Sequence, residues 1–191
     1  MEGLGRLRQP GGQSREHCLP GSGSRGLLKP RVGVSACLLG EPVRYDGQSK
    51  PHEWIRQVLA DVADLVPLCP EVGAGLPVPR PPVRLVKLED GIHALGVEDP
   101  GRDVTGVIEQ WSRSARSLID ELQAVILKSK SPSCGLRSVP LHSPKGEELG
   151  RTSGLFAAFL QQEYPALLLL EETGLELAEA RAAFLHALGI D

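Results

Sequence analysis

The rhythm of hydrophobic and polar positions changes at Arg31. Residues 32–39 (VGVSACLL) form an almost wholly apolar run closed by Gly40, the pattern of a strand buried on both faces. Ile55, Val58, Leu59, Val62 and Leu65 then recur at helical spacing and predict a helix over 53–65 with one apolar face. A short strand at 65–69 (LVPLC) and a Pro/Gly-rich loop at 70–82 follow. Residues 83–87 and 92–97 flank Glu89-Asp90-Gly91, a hairpin signal, because Asp-Gly suits the primed turns. Asp103 or Thr105 can cap a helix whose apolar stripe runs from Ile108 through Trp111, Ala115, Leu118 and Ile119 to Leu122. Residues 124–128 (AVILK) read as a third buried strand, 153–162 as a helix, 166–170 as a strand and 176–188 as a closing helix. Residues 136–152, which contain Leu-His-Ser-Pro-Lys-Gly, read as a loop.

Strands alternating with helices imply an α/β fold, a three-layer sandwich around a mainly parallel sheet with right-handed crossovers. No strand is followed by either Gly-rich phosphate-binding fingerprint. Residues 1–30 are different. They carry seven glycines and three prolines with no period, and read as a disordered basic extension of an α/β domain spanning 31–191. That Gly/Pro content argues against the amphipathic helix of an organelle-targeting peptide.

Composition narrows the function classes. At 41% hydrophobic and 24% charged residues a packed core is expected, built from aliphatic side chains because aromatics are only 4%. No apolar run approaches the ~20 residues that span a bilayer. Four cysteines without the dense spacing of a secreted scaffold point to a reducing compartment, and a cytoplasmic location is expected. Residues 1–31 hold six basic and two acidic residues, which leaves 15 against 22, a net −7, in the remainder. A globular part of that charge is a poor partner for phosphate backbones, so DNA and general nucleic-acid binding are disfavoured.

Three cysteines share one kind of address. Cys37 ends the first strand run, Cys69 ends the second, and Cys134 lies six residues beyond AVILK in SKSPSCG. The carboxyl ends of parallel strands line one edge of a sheet, so these residues can meet in space where ligands usually bind. Buried structural cysteines are the plainer reading, since free Cys is among the most buried residue types. Convergence of three beside turn residues favours a metal site instead. Thiolates select zinc, Cu(I) or iron–sulfur clusters. Three of them suit either a [4Fe–4S] cluster with one iron lacking a protein ligand, or zinc with His52 or Glu71 as a fourth ligand. Cys18, in the extension, is read as a bystander.

Residues 35–47 (SACLLGEPVRYDG), 69–80 (CPEVGAGLPVPR) and 127–135 (LKSKSPSCG) together resemble the thiouracil desulfurase family, over roughly Arg31 to Thr173. The resemblance implies a [4Fe–4S] cluster on Cys37, Cys69 and Cys134, with Glu71 and a serine of the last motif, Ser131 rather than Ser133, as catalytic residues. It implies hydrolytic, non-redox removal of sulfur from 2-thiouracil or a similar thiolated pyrimidine. An iron without a protein ligand is a soft Lewis acid for a thiocarbonyl sulfur, and a nearby carboxylate can activate the attacking water. A non-catalytic iron–sulfur or zinc module is the alternative, and a tRNA thiouridine desulfurase a third reading.

Other polar residues are weaker signals. Arg44, Asp46 and Lys50 around the Asp46-Gly47 turn, together with Arg80 and Ser133, are candidate substrate contacts. His52, His93, His142 and His186 are read as solvated, and Trp54 and Trp111 as core.

Overall fold

The computed structural model describes residues 29–190; the expected extension up to residue 28, Cys18 included, lies outside the described residues. Strands β1 (Arg31–Ser35), β2 (Asp64–Leu68), β5 (Ala124–Leu127) and β8 (Leu168–Glu171) build the first sheet, all parallel, in the order β2-β1-β5-β8. They are apolar on both sides because both faces are covered. In β5, Ala124 and Ile126 pack with Val32, Val34, Ile55, Leu59 and Phe184 on one face. Val125 and Leu127 pack with Ile119, Phe156 and Leu160 on the other. Two-residue alternation therefore serves two cores at once, and each fully buried aliphatic side chain contributes about 1.5–3 kcal/mol. This is the expected α/β architecture, with helices on both sides of a mainly parallel sheet.

The helices on one face are α6 (Ala178–Ala187) and a π-type turn, Ile55–Leu59, that runs into the short α1, Ala60–Val62. On the other face lie α3 (Thr105–Ser114), α4 (Arg116–Ile119) and α5 (Leu155–Glu163). The helix expected to continue to Leu122 thus breaks at Ala115. Asp103 Oδ1 accepts the Thr105 N–H at 2.8 Å just ahead of α3, but neither Asp103 nor Thr105 is the cap: that position falls to Val104, which has no side-chain bond to offer. Trp111 meets Phe156 edge-on at 5.4 Å and Trp54 meets Phe184 at 6.5 Å, which places both tryptophans in packing.

A second four-stranded sheet is absent from the sequence reading as a sheet. Its strands β3 (Val83–Lys87) and β4 (Ile92–Gly96) form the expected Asp90-Gly91 hairpin. Strands β6 (Val139–His142) and β7 (Glu148–Thr152) form a hairpin where a loop was expected. Because β6 runs parallel to β3, the order is β4-β3-β6-β7. Leu85, Ala94 and Val139 close against Ile108 of α3, so this helix packs between the two sheets.

Two local departures shape the carboxyl edge of the first sheet. The first strand ends at Ser35 rather than continuing to Leu39. Ala36–Leu39 instead form a 3-10 turn, closed by Gly40 at φ +100° and held by the Lys50 and His52 N–H groups on the carbonyls of Cys37 and Leu38. In the expected loop after Cys69, Pro70–Gly73 form a single helical turn, α2, with proline at its start, where a missing N–H costs nothing.

Candidate functional site

Cys37, Cys69 and Cys134 follow β1, β2 and β5, and parallel pairing of these strands brings all three to one edge. They line one cavity of about 420 Å³. One side of it comes from the carboxyl ends of the first sheet, the other from Val83, Arg84, Leu85, Val139 and His142 of the second. All three thiols are free.

Each sulfur has its own polar support. Burial pushes the Cys37 thiol up to about 11, with the Lys128 ammonium working against it. Burial also raises Cys69, opposed by hydrogen bonds from the backbone of Val72 and Glu71 at the start of α2. Cys134 is raised furthest, again by burial, and a hydrogen bond with the Ser35 hydroxyl opposes the rise. Ser35 Oγ also accepts the Lys128 N–H at 2.9 Å, which joins β1 to the exit of β5. A soft cation binds thiolates, so loading these three residues would release their protons.

This donor set fits an iron–sulfur cluster. Three free thiols from three strand ends line one cavity. A cluster distributes its thiolates over separate irons, and hydrogen bonds to cysteine sulfurs are the means by which a protein tunes it. His52, one of the two fourth ligands considered for zinc, does not line the cavity.

Glu71 is the only carboxylate among the described residues lining the cavity. Its Oε2 accepts from Arg80 Nε at 2.8 Å and its Oε1 from Ser133 Oγ at 2.9 Å. Arg80 is 7% exposed and is itself fixed by the carbonyls of Pro77 and Val43. Close packing holds α2 from below: a Cβ on Gly73 would collide with Trp111 Nε1.

The two serines of the last motif are inequivalent. Ser133 is fully buried and spends its proton on Glu71. Ser131 lines the cavity, and its oxygen accepts the N–H groups of Ser133 and Cys134 at 3.3 and 3.2 Å, which leaves its own proton free to donate. The loop carrying them is anchored at both ends by consecutive glutamates. Glu172 takes the Ser129 N–H at 2.7 Å, and Glu171 takes the Leu136 N–H at 2.6 Å. Lys130 within it is held at φ +59°, its N–H bonded to Ser138 Oγ at 2.8 Å.

Of the weaker candidates, Arg44 and Arg80 line the cavity, while Asp46, Lys50 and Ser133 do not. Asp46 instead holds Arg44 and accepts the Gln48 N–H at 3.1 Å, closing its own turn. Lys50 is exposed, and its backbone N–H serves the Cys37 carbonyl. Three of the four histidines need correction. His93 lies 2.7 Å from Asp103 and 3.1 Å from Asp90, and His142 lines the cavity with Nδ1 3.3 Å from the Leu85 carbonyl. His52 Nδ1 is buried without a hydrogen-bond partner among the described residues, and His186 is exposed.

Sequence reasoning missed Ser35, Lys128 and Arg84. The first two stand inside the quoted motifs, so the signal was available. Arg84 stands in an ordinary strand. It lines the cavity from β3, and its Nε is buried with no partner among the described residues. The lining carries five cations, Arg44, Arg80, Arg84, Lys128 and Lys130, against the Glu71 carboxylate, in a chain of formal charge −3. No helix of the described residues is long and apolar enough to cross a membrane.

Comparison with known proteins agrees with this geometry. The family model described as 2-thiouracil desulfurase matches residues 32–172, a span that contains all three cysteines and Glu71. An uncharacterized protein of Bacillus subtilis (strain 168), YbbK, is 34% identical over 135 residues, covering 68% of this chain and 88% of its own. The solved structure of the [4Fe-4S]-dependent thiouracil desulfidase TudS superposes with a TM-score of 0.62 at 31% identity, over 82% of this chain and 98% of that one. With the cysteine edge, the cavity and the matched span in agreement, the chain belongs to the 2-thiouracil desulfurase family.

Proposed function

We propose that this chain is an iron–sulfur-dependent desulfidase that hydrolyses the thiocarbonyl of a small thiolated pyrimidine such as 2-thiouracil, giving the carbonyl compound and hydrogen sulfide. The observation that carries the reading is the meeting of three free thiols and a fixed carboxylate in one cavity. Cys37, Cys69 and Cys134 would hold a [4Fe–4S] cluster, whose iron without a protein ligand supplies a soft Lewis acid for the thiocarbonyl sulfur.

The protein's own groups have separable roles. Glu71, fixed by Arg80 and Ser133, orients the attacking water and accepts its proton. Ser131 directs its free proton toward the departing sulfur. Arg84, on the second sheet's wall, offers its guanidinium to an oxygen on the pyrimidine edge. Leu68, Val83, Leu85 and Val139 make the remaining walls apolar, which limits bulk water and strengthens every polar contact within. One water is consumed, carbon exchanges sulfur for oxygen, and no electron is gained or lost.

The hydrolytic claim is tested by running anaerobically loaded protein on 2-thiouracil in oxygen-18 water. One labelled oxygen per uracil, with an equal amount of sulfide, is expected. Sulfide release without label in the uracil contradicts hydrolysis, and no release from any thiolated pyrimidine contradicts the desulfidase reading.

A further inference from the structure

We propose that Lys128 and Glu172 form a partly buried positioning pair that sets the electric field on the Cys37 side of the cavity. The inference rests on the iron–sulfur reading above. Strands β5 and β8 end in register at Leu127 and Glu171, so the next residue on each, Lys128 and Glu172, comes together across 44 positions of sequence. Glu172 Oε1 accepts from Lys128 Nζ and, at 2.7 Å, from Ser129 Oγ, while Oε2 takes the Ser129 N–H. The ammonium also donates to Ser129 Oγ at 2.9 Å and to the Ser129 carbonyl at 3.2 Å, which places all three of its protons.

Such a pair is not there for stability alone. Glu172 is 7% exposed, and an apolar pair would pack at that depth without desolvating two charges. The arrangement is directional. Lys128 lines the cavity and Glu172 stands behind it, outside the lining. Lys128 also stands beside the strand end that carries Cys37: its backbone N–H donates to Ser35 Oγ at 2.9 Å, two residues before that cysteine, and both residues line the cavity. Three thiolates make the loaded site electron-rich, and an ammonium held at its wall offsets that charge, while the carboxylate behind keeps the ammonium in place and moderates it.

The test compares the reduction potential of the loaded wild type with Lys128→Met, Glu172→Gln and the double variant, by anaerobic redox titration. Loss of the cation in Lys128→Met should lower the potential. Glu172→Gln leaves the cation without its counter-charge and should raise it. The double variant should fall below wild type by less than Lys128→Met, because the nearer charge decides the sign. Should Lys128→Met fail to fold, the opposite shifts of Glu172→Gln and the double variant carry the same comparison. A merely structural pair would loosen the site in every variant with no reversal of sign. Shifts of one sign in all variants, or none, overturn the proposal while leaving the family reading intact; a wild type that loads no cluster overturns both.

Discussion

The Ser133 hydroxyl donates to Glu71 Oε1 at 2.9 Å, across 62 positions of sequence. Each residue sits close to a cysteine in the chain, so this bond ties the Cys134 segment to the Cys69 segment at the cavity. With Arg80 on the second oxygen, the carboxylate is fixed in position and direction. It also separates the two serines of the last motif: Ser133 acts through Glu71, and Ser131 acts on the cavity.

Ser133→Ala and Ser131→Ala should therefore both slow sulfide release, each by about tenfold, the scale of one hydrogen bond to a charged group. A double-mutant cycle distinguishes them. Added to Glu71→Gln, Ser133→Ala should cost little more, whereas Ser131→Ala should still cost its full factor. Full additivity for Ser133 would contradict its placement behind Glu71.

Glu71→Gln keeps the size of the side chain and removes its basicity. Iron content should stay normal and turnover per cluster should fall by about 10²-fold or more. The Arg80 ion pair also supports a purely structural role, which predicts the opposite split, a loss of about 1–3 kcal/mol of stability with turnover retained. Thermal unfolding and turnover measured on the same loaded sample decide between the two.

Arg84 has a buried Nε with no partner among the described residues, so its removal should not destabilise the fold. Arg84→Met should raise KM for the thiolated pyrimidine by about tenfold with kcat little changed, as expected for lost uniform binding. A lower Tm with unchanged KM would assign Arg84 to packing instead.

Gly73→Ala tests the seating of α2. Its new Cβ would collide with Trp111 Nε1, so the helix turn carrying Glu71 has to move or the indole has to rotate. A loss of about 1–3 kcal/mol in chemical denaturation is expected, with turnover reduced beyond the loss of folded protein.

Outside the cavity lining, His93 gives a pH signature. The Asp103 hydrogen bond raises its pKa above the ordinary 6.5, against the effect of burial. At Asp103 burial alone would raise the carboxyl, yet hydrogen bonds from Thr105 and His93 bring it below the ordinary 3.8. A raised histidine stabilises fully below its unfolded pKa and loses that contribution as pH rises through the folded value. A lowered aspartate stabilises above its unfolded pKa and loses the contribution as pH falls through the folded one. The advantage of wild type over His93→Gln should therefore peak between about pH 4 and 6.5 and shrink above it, staying within about 1 kcal/mol at this partly exposed site. A difference independent of pH would mean that the ion pair adds nothing to stability.

What the sequence revealed, and what it hid, depends on how each feature is encoded. Cys37, Cys69 and Cys134 were legible because each comes after a strand with an obvious buried run, and parallel pairing does the rest. The hairpin of β6 and β7 was not, because β7 has exposed residues on both faces and Gly150 at φ +130°, so no hydrophobic alternation marks it. With that sheet went Arg84 and His142, whose wall exists only once β6 pairs with β3. Lys128 and Glu172 are joined by the end of a strand register, and His93 and Asp103 by the fold of a hairpin onto a helix start; neither leaves a local pattern to read. Apolarity persists through Leu39 and hides the end of the first strand at Ser35, where backbone hydrogen bonds from residues 50 and 52 hold the chain in a turn.

The central claim is that Cys37, Cys69 and Cys134 jointly hold one cluster, and metal analysis after anaerobic reconstitution tests it most directly. About four irons and four acid-labile sulfides per chain are expected, with a brown chromophore absorbing near 400 nm that Cys→Ala at any of the three positions abolishes and Cys18→Ala leaves intact. One tightly bound zinc per chain with no uptake of iron would contradict it.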